Sequence, residues 1–573
     1  MNLKSNLQIV VFILAVLVSC SEPKNEAADT KEGSKSFKAL PVSTEFDVVI
    51  LNGRVMDPET NFDAIRNVGI KDGRIALITE ESISGKETID ATGHVVAPGF
   101  MDTHWHWPRP VGYKLALRDG VTTAMDLEWG CYGPNVSKWY DMHKGRSQMN
   151  YGTGSSHEAA RGVILDKIEN TDSIYDVCTA LAIRSLTQWA TGVVDETTGN
   201  ELLKTIDAGL QQGALGVSAT MGYWPGATAR EVFEVHKLVG RYGRFYAIHS
   251  RNTPSNATLE ANGAQEMFAN AAALGAPVCM NHFNNPGWEL VQELIVRMRE
   301  QGHIVYGEVY PYAAGSTSLN AAFIGPDNWV KKLGNKYENT LQDPITQQYY
   351  TMETYKEALA KTPTKEILLY KASPEDIPAW MALPGVLLAS DAMPAAFGMW
   401  DQLPWDVSYD SLPNVHPRVS GTRAKALRIA RENNIPLMQI ISIASYNTAK
   451  HLGATGIKAM DERGRMQEGM IADITIFNPE TVTDNSTYEK GMVPSTGIPY
   501  VLINGTIVVK DSEVLRDVFP GQPIRFEPTT ESKYEEVSVD LWKDTYLVQP
   551  GEYLHDPTSC MHSIDELITQ NKK

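Results

Sequence analysis

The stretch "APGFMDTHWHWP" (97–108) places His104 and His106 one residue apart, two positions after Asp102. Along a β-strand residues i and i+2 point the same way, so the two imidazoles share a face and can reach one ion. An isolated H-x-H in a strand is more often incidental than a ligand pair, so its meaning depends on the rest of the chain. Four other apolar runs stop at groups able to bind a metal or move a proton: Glu128 in "LEWGC", His249 in "AIHSRN", His282 in "MNHFNN" and Asp391 in "LASDAMP". Thirteen histidines scattered over 573 residues would seldom place four at such positions. Imidazoles and carboxylates without paired thiolates suit Zn²⁺ or a similar divalent ion, one or two per chain. Asp391, after a buried apolar run, is the natural acid–base group. Taken singly, each has a plainer explanation: a hydrogen-bonded core histidine, or an aspartate capping the next helix. The set as a whole is the signal. His94, His143, His236 and His451 fall in loop- or helix-like text and are expected to be structural.

The elements that must position these groups follow from the periodicity. Between about 97 and 460, eight apolar strand candidates alternate with helix-like segments: "HVVAPGFMDTH", "VTTAMDLEW", "MNYGTGSSH", "GALGVSAT", "RFYAIHS", "APVCMNH", "HIVYGEVYPY" and "PGVLLASD". Strand–helix alternation repeated eight times predicts an α/β fold, a (β/α)8 TIM-like barrel, whose active site lies at the C-terminal mouth of the strands. The candidate ligands stand at those ends. His249 and His282 are 33 residues apart, about one βα unit, so neighbouring strands would deliver them to one rim. Both ends of the chain read differently. "DVVILNGRVMDPETN" and "NVGIKDGRIALI", then "GRMQEGMIADITIFNP" and "YVLINGTIVVKDSEV", are short strands joined by Asn-Gly and Asp-Gly-type turns. The economical organisation is a small β-sandwich domain built from 45–97 and 462–525, with the barrel (98–461) inserted between and an aromatic, acidic extension at 526–573.

Residues 1–20, "MNLKSNLQIVVFILAVLVSC", combine Lys4, an apolar run and Ser19-Cys20. This is a secretory signal, too short for a membrane span. Its "LVSC" resembles a bacterial lipobox, with Cys20 the lipidated residue and 21–44 a flexible polar tether. The expected location is therefore outside the cytoplasm, periplasmic or surface-facing, with membrane contact only through the lipid. A net charge of −18 argues against nucleic acid as a partner. The other cysteines, Cys131, Cys178, Cys279 and Cys560, are too few and too widely spaced for a disulfide scaffold.

From roughly 45 to 525 the chain resembles the amidohydrolase superfamily, in its branch of N-acyl-D-amino-acid deacylases (D-aminoacylases). The matching pieces are "PGFMDTHWH", "DGVTTAMDLE", "IHSRN", "NHFNNPG", "VYPYAAGSTSL", "SDAMP", "HPRVSGT" and "GRMQEGMIADITIF". The resemblance implies that His249 and His282 hold a firmly bound metal, His104 and His106 a second and often weaker one, and that Asp391 is the catalytic aspartate. It assigns Arg418 to the substrate carboxylate, assisted by Tyr310 or Tyr312. One departure stands out: relatives usually carry "GNCG" after "GVTT", with a cysteine bridging the metals, and here Trp129 aligns with that cysteine. Glu128 is the expected replacement; Asp126 and Cys131 are the alternatives. Strand phase disfavours Glu128, which is one residue off.

The function so implied is metal-dependent hydrolysis of the amide bond of N-acyl-D-amino acids, N-acyl-D-glutamate among them, as small-molecule substrates. Two alternatives remain open. Cyclic amidases of the dihydroorotase or hydantoinase type share the barrel and the H-x-H but commonly use a carboxylated lysine, and none of the strand ends carries a lysine. A degenerate barrel serving as a surface binding lipoprotein would have lost a ligand or Asp391, and none is missing. The long segment 335–366, "NKYENTLQDPITQQYYTMETYKEALAKTPTKE", lies near the mouth as a lid would.

Overall fold

The computed structural model describes residues 37–538, apart from 178, 180–183, 185–186, 252–261 and 394–402. The signal segment, Cys20, most of the tether and the extension beyond 538 lie outside the described residues. Eight parallel strands hydrogen-bond in sequence order: β1 Phe100–Asp102, β2 Val121–Cys131, β3 Asn150–Ser156, β4 Gly216–Ala219, β5 Phe245–Ile248, β6 Val278–Met280, β7 Val305–Val309 and β8 Leu387–Leu388. All eight strand candidates appear, and the helices between them cover the outside. One of these, Ala229–Arg241, shows why the text folds this way. Thr228 caps its first turn by accepting from the Glu231 amide, and Val232, Val235, Leu238 and Val239 recur at helical spacing on its buried face.

Beyond the ladder, the edges of β1 and β8 meet through the Asp391 amide donating to the His104 carbonyl (2.8 Å) and the His106 amide to the Ala392 carbonyl (3.0 Å). The barrel is thus closed by backbone bonds at the very residues proposed to do chemistry. Below them the strands alternate: Met101, Met125, Phe245, Ala247, Cys279, Tyr306 and Leu387 form the apolar plug inside the barrel, while Phe100, Tyr246, Ile248, Met280 and Leu388 pack outward.

The first strand candidate proves to be two strands. Val95–Pro98 pairs antiparallel with Ile474–Phe477, and only Gly99 separates it from β1. A side chain at Gly99 would collide with Thr122 of the neighbouring strand, so the crossing between the two sheets needs glycine. Val95–Pro98 belongs to a nine-stranded sheet drawn from both ends of the chain, including Glu45–Asp57, Phe62–Lys71, Tyr500–Ile503 and Thr506–Lys510.

The segment between β7 and β8 is a folded unit. Strands Ala314–Ser318, Leu341–Gln342 and Glu366–Tyr370 form an antiparallel sheet over a core of Leu319, Ile324, Trp329, Tyr337, Tyr355 and Ile367. The described start of the C-terminal extension lies along the outer helices, where Asn200 binds the Val537 backbone and Arg244 stacks on Phe526 at 4.0 Å.

Candidate metal and hydrolytic site

At the mouth, Glu128 faces four imidazoles. Its Oε2 lies 2.9 Å from His104 Nε2 and 3.3 Å from His106 Nε2; its Oε1 lies 2.8 Å from His249 Nδ1 and 3.1 Å from His282 Nε2. The result is two donor groups with one shared carboxylate: His104, His106, Glu128 and Asp391, and Glu128, His249 and His282. Within each group the ligand atoms lie within 4.8 Å of one another. This donor set, nitrogen and oxygen without thiolate, fits one or two divalent ions of the zinc type. Burial works against ionisation of Glu128, but His104, His106 and His249 outweigh it and hold its carboxyl well below the usual range. Burial likewise opposes protonation of His106, yet Asp126 and Glu128 raise it to about 9. The negative charge that attracts those protons is the charge that would hold a cation.

The phase problem at Glu128 has a structural answer. β2 pairs with β3 at Asp126–Thr153 and again at Cys131–Ser155, so three extra residues bulge out of register between them. The bulge is fastened by the Asp126 carboxylate, which accepts from the Trp129 and Gly130 amides (2.9 and 3.0 Å), with Gly130 at φ 77°. A bulge re-aims a side chain, and here it turns Glu128 into the mouth. Neither alternative occupies the shared place. The other oxygen of Asp126 orients His106 through its Nδ1 at 2.9 Å, and Cys131 is buried with its thiol towards the Tyr132 carbonyl (3.6 Å).

His282 is brought in by a similar device. On β6 the alternation puts Cys279 and Asn281 inward, which would send His282 outward; its φ of 26° breaks the alternation. Asp391 is also left-handed, at φ 54°, a region that aspartate tolerates better than most residues. Its Oδ1 stands 3.3 Å from His104 Nε2, and its Oδ2 accepts from Arg418 Nη1 at 2.6 Å.

The two tyrosines separate. Tyr306 and Glu308 share the lumen face of β7 by period two, and Tyr310, one residue past its end, lines the cavity with Arg418 against its ring at 5.5 Å. Tyr312 does not line it: its hydroxyl donates to the Pro417 carbonyl and its ring packs on His416 and Lys425. Both tyrosines lie past the end of the strand, and Pro311 between them interrupts the period.

Several groups at the site escaped the sequence reading. Glu308, fully buried, bonds His104 Nδ1 and also accepts from Thr103 Oγ1 (2.7 Å) and Asn281 Nδ2 (3.1 Å), so it fixes the ring that presents Nε2 inward. Its signal was present: a glutamate interrupting a parallel strand that is otherwise apolar or aromatic. His416 accepts from the Arg418 amide (3.1 Å) and holds the Ala314 carbonyl (3.0 Å), anchoring the helix that carries Arg418. Arg184, Tyr223, Glu366 and Lys371 complete the walls of the open cavity over the ligand cluster. The last two come from the insertion, which forms one wall of this cavity. His143, His236 and His451 each bond a backbone carbonyl away from it.

No family model matches the chain. Known proteins do. A D-aminoacylase of Alcaligenes xylosoxydans xylosoxydans is 25% identical over 511 residues, covering 84% of this chain and 97% of that protein. An N-acyl-D-glutamate deacylase of the same organism is 24% identical, covering 81% and 94%. The crystal structure of the N-acyl-D-glutamate deacylase of Bordetella bronchiseptica, complexed with zinc and a phosphonate inhibitor, superposes with a TM-score of 0.67 at 21% identity, covering 84% of this chain and all of that one. The similarity runs from the β-domain through the barrel and back, so over most of its length the chain is similar in sequence to D-aminoacylases and N-acyl-D-amino-acid deacylases and shares the fold of their solved structures.

Proposed function

We propose that the protein hydrolyses the amide bond of N-acyl-D-amino acids, that its resident ion is zinc, and that it acts outside the cytoplasm on a lipid anchor at Cys20. The observation that carries the hydrolytic reading is the Glu128-centred pair of donor groups with Asp391 at its edge. A divalent ion bound there supplies a Lewis acid that acidifies water and polarises the scissile carbonyl. Asp391 takes the proton as water attacks the amide carbon, then returns it to the departing amine, which is too basic to leave as an anion. His104 is held by Glu308 so that Nε2 faces the reacting atoms, and His106 is held likewise by Asp126. Arg418 restrains Asp391 and, with Tyr310, faces the region where the substrate carboxylate would lie. A carboxylated-lysine site of the cyclic-amidase kind finds no support, because Glu128 fills the shared position. A degenerate binding protein would not retain the whole ligand set.

The test is Asp391→Asn, which keeps shape and removes the base. Metal content should hold while kcat falls about 10²–10⁴-fold. Near wild-type kcat would move the proton transfer to another group.

A further inference from the structure

Among the described residues three lysine or arginine side chains line the cavity, and two are committed. Arg184 pairs with Glu158 at 2.9 Å and Arg418 with Asp391 at 2.6 Å. The third, Lys371, follows the insertion strand Glu366–Tyr370, and no carboxylate among the described residues lies within ion-pair distance of it. Across the small sheet stands Gly315. A Cβ there would sit 3.3 Å from the Tyr310 hydroxyl and 3.7 Å from Lys371 Nζ, so the two donors flank one open spot in the cavity wall. Gly315 is not in the left-handed region, so its missing side chain serves space rather than backbone conformation. A hydroxyl and an ammonium converging on a gap that a methyl group would fill form a receptacle for a small anion.

Resting on the deacylase reading, we propose that Lys371 is a further receptor of the substrate's α-carboxylate beside Tyr310 and Arg418, with Gly315 keeping the space next to Lys371 and Tyr310 open. The charged surroundings are mixed: Asp391 and Glu128 attract the ammonium, while Arg418, His416 and His282 repel positive charge. Glu366, the nearest carboxyl on the same strand, accepts from Ser316 and is pushed by burial up to about 7, which limits its competition with an incoming anion. Burial also lowers Lys371 to about 8, a cost that a bound carboxylate would relieve.

The zinc-loaded wild type and the variants K371M, K371R and G315A are assayed on an N-acetyl-D-amino acid and on the matching N-acetyl-D-amino alcohol, which keeps the amide and lacks the carboxylate. Calorimetry measures binding of the free D-amino acid and of the free amino alcohol. K371M should raise KM for the acid roughly 10–100-fold, with kcat changed by less than about threefold and the alcohol unaffected. K371R should recover most of the loss, and G315A should impair the acid selectively. Equal losses on acid and alcohol, or an unchanged KM, overturn the assignment. A wild type that hydrolyses neither compound refutes the deacylase reading. Calorimetry then decides on Lys371 alone: loss of D-amino-acid binding in K371M supports it, and equal or absent binding in both proteins removes it.

Discussion

Glu128 divides its two oxygens between two imidazole pairs, and no other carboxylate among the described residues touches all four rings. Glu128→Ala should therefore strip the protein of metal, whereas Cys131→Ser, at a thiol facing the Tyr132 carbonyl, should leave metal content unchanged. Elemental analysis of the two purified variants checks this, and the reverse ranking would return the bridge to the thiol. Glu308→Gln tests the group behind His104: it should weaken metal affinity about 10–100-fold while leaving the ligand count intact. Lys371 makes the pH dependence specific. A lysine loses its charge as pH rises through its folded value, here about 8. For N-acyl amino acids kcat/KM should then fall above that pH, with no matching fall for the carboxylate-free amino alcohols. Parallel alkaline limbs for both substrates would locate the titrating group in the chemical step.

At the scale of elements, the strand ends were legible because each apolar run stops where the chain enters the mouth. His104, His106, His249, His282, Glu128 and Asp391 could all be picked out on that basis. What alternation alone could not supply was direction. Glu128 enters the site only through a bulge set by the Asp126 carboxylate, and His282 only through a positive φ; neither has a period to betray it. Lys371 and Glu366 were hidden for another reason. They lie in an insertion whose strands pair with one another, so nothing local says that their ends face the barrel. The barrel seam has a buried brace of its own. Asp102 accepts from the His104 and Ser390 amides (3.1 Å each) and from Arg423 Nη1 (2.7 Å), tying β1, the end of β8 and the helix Arg418–Asn433 together. Asp102→Ala leaves the Arg423 guanidinium buried without its counter-charge, which should cost about 3–5 kcal/mol in denaturant unfolding. A loss under about 1 kcal/mol would show that the seam does not depend on this pair.

For the whole molecule, the sheet made from both ends of the chain and the barrel between them follow from turn-rich text at the termini and strand–helix alternation in the middle. The abrupt passage between them at Gly99 did not, because a single residue separates two strands of different sheets. Beyond 526 the described extension lies along the barrel's outer helices and takes no part in the cavity. The proposed lipid anchor at Cys20 has its own test: Cys20→Ala should shift the protein out of the membrane fraction, and an unchanged distribution would make the leader an ordinary signal peptide. The proposed activity is metal-dependent, D-selective amide hydrolysis. The most direct measurement is amine release from matched N-acetyl-D- and N-acetyl-L-amino acids by the chelated protein before and after zinc is restored. Turnover of the D series that vanishes on chelation and returns with zinc is the predicted result. Full activity without metal, or hydrolysis confined to cyclic ureides, would contradict it.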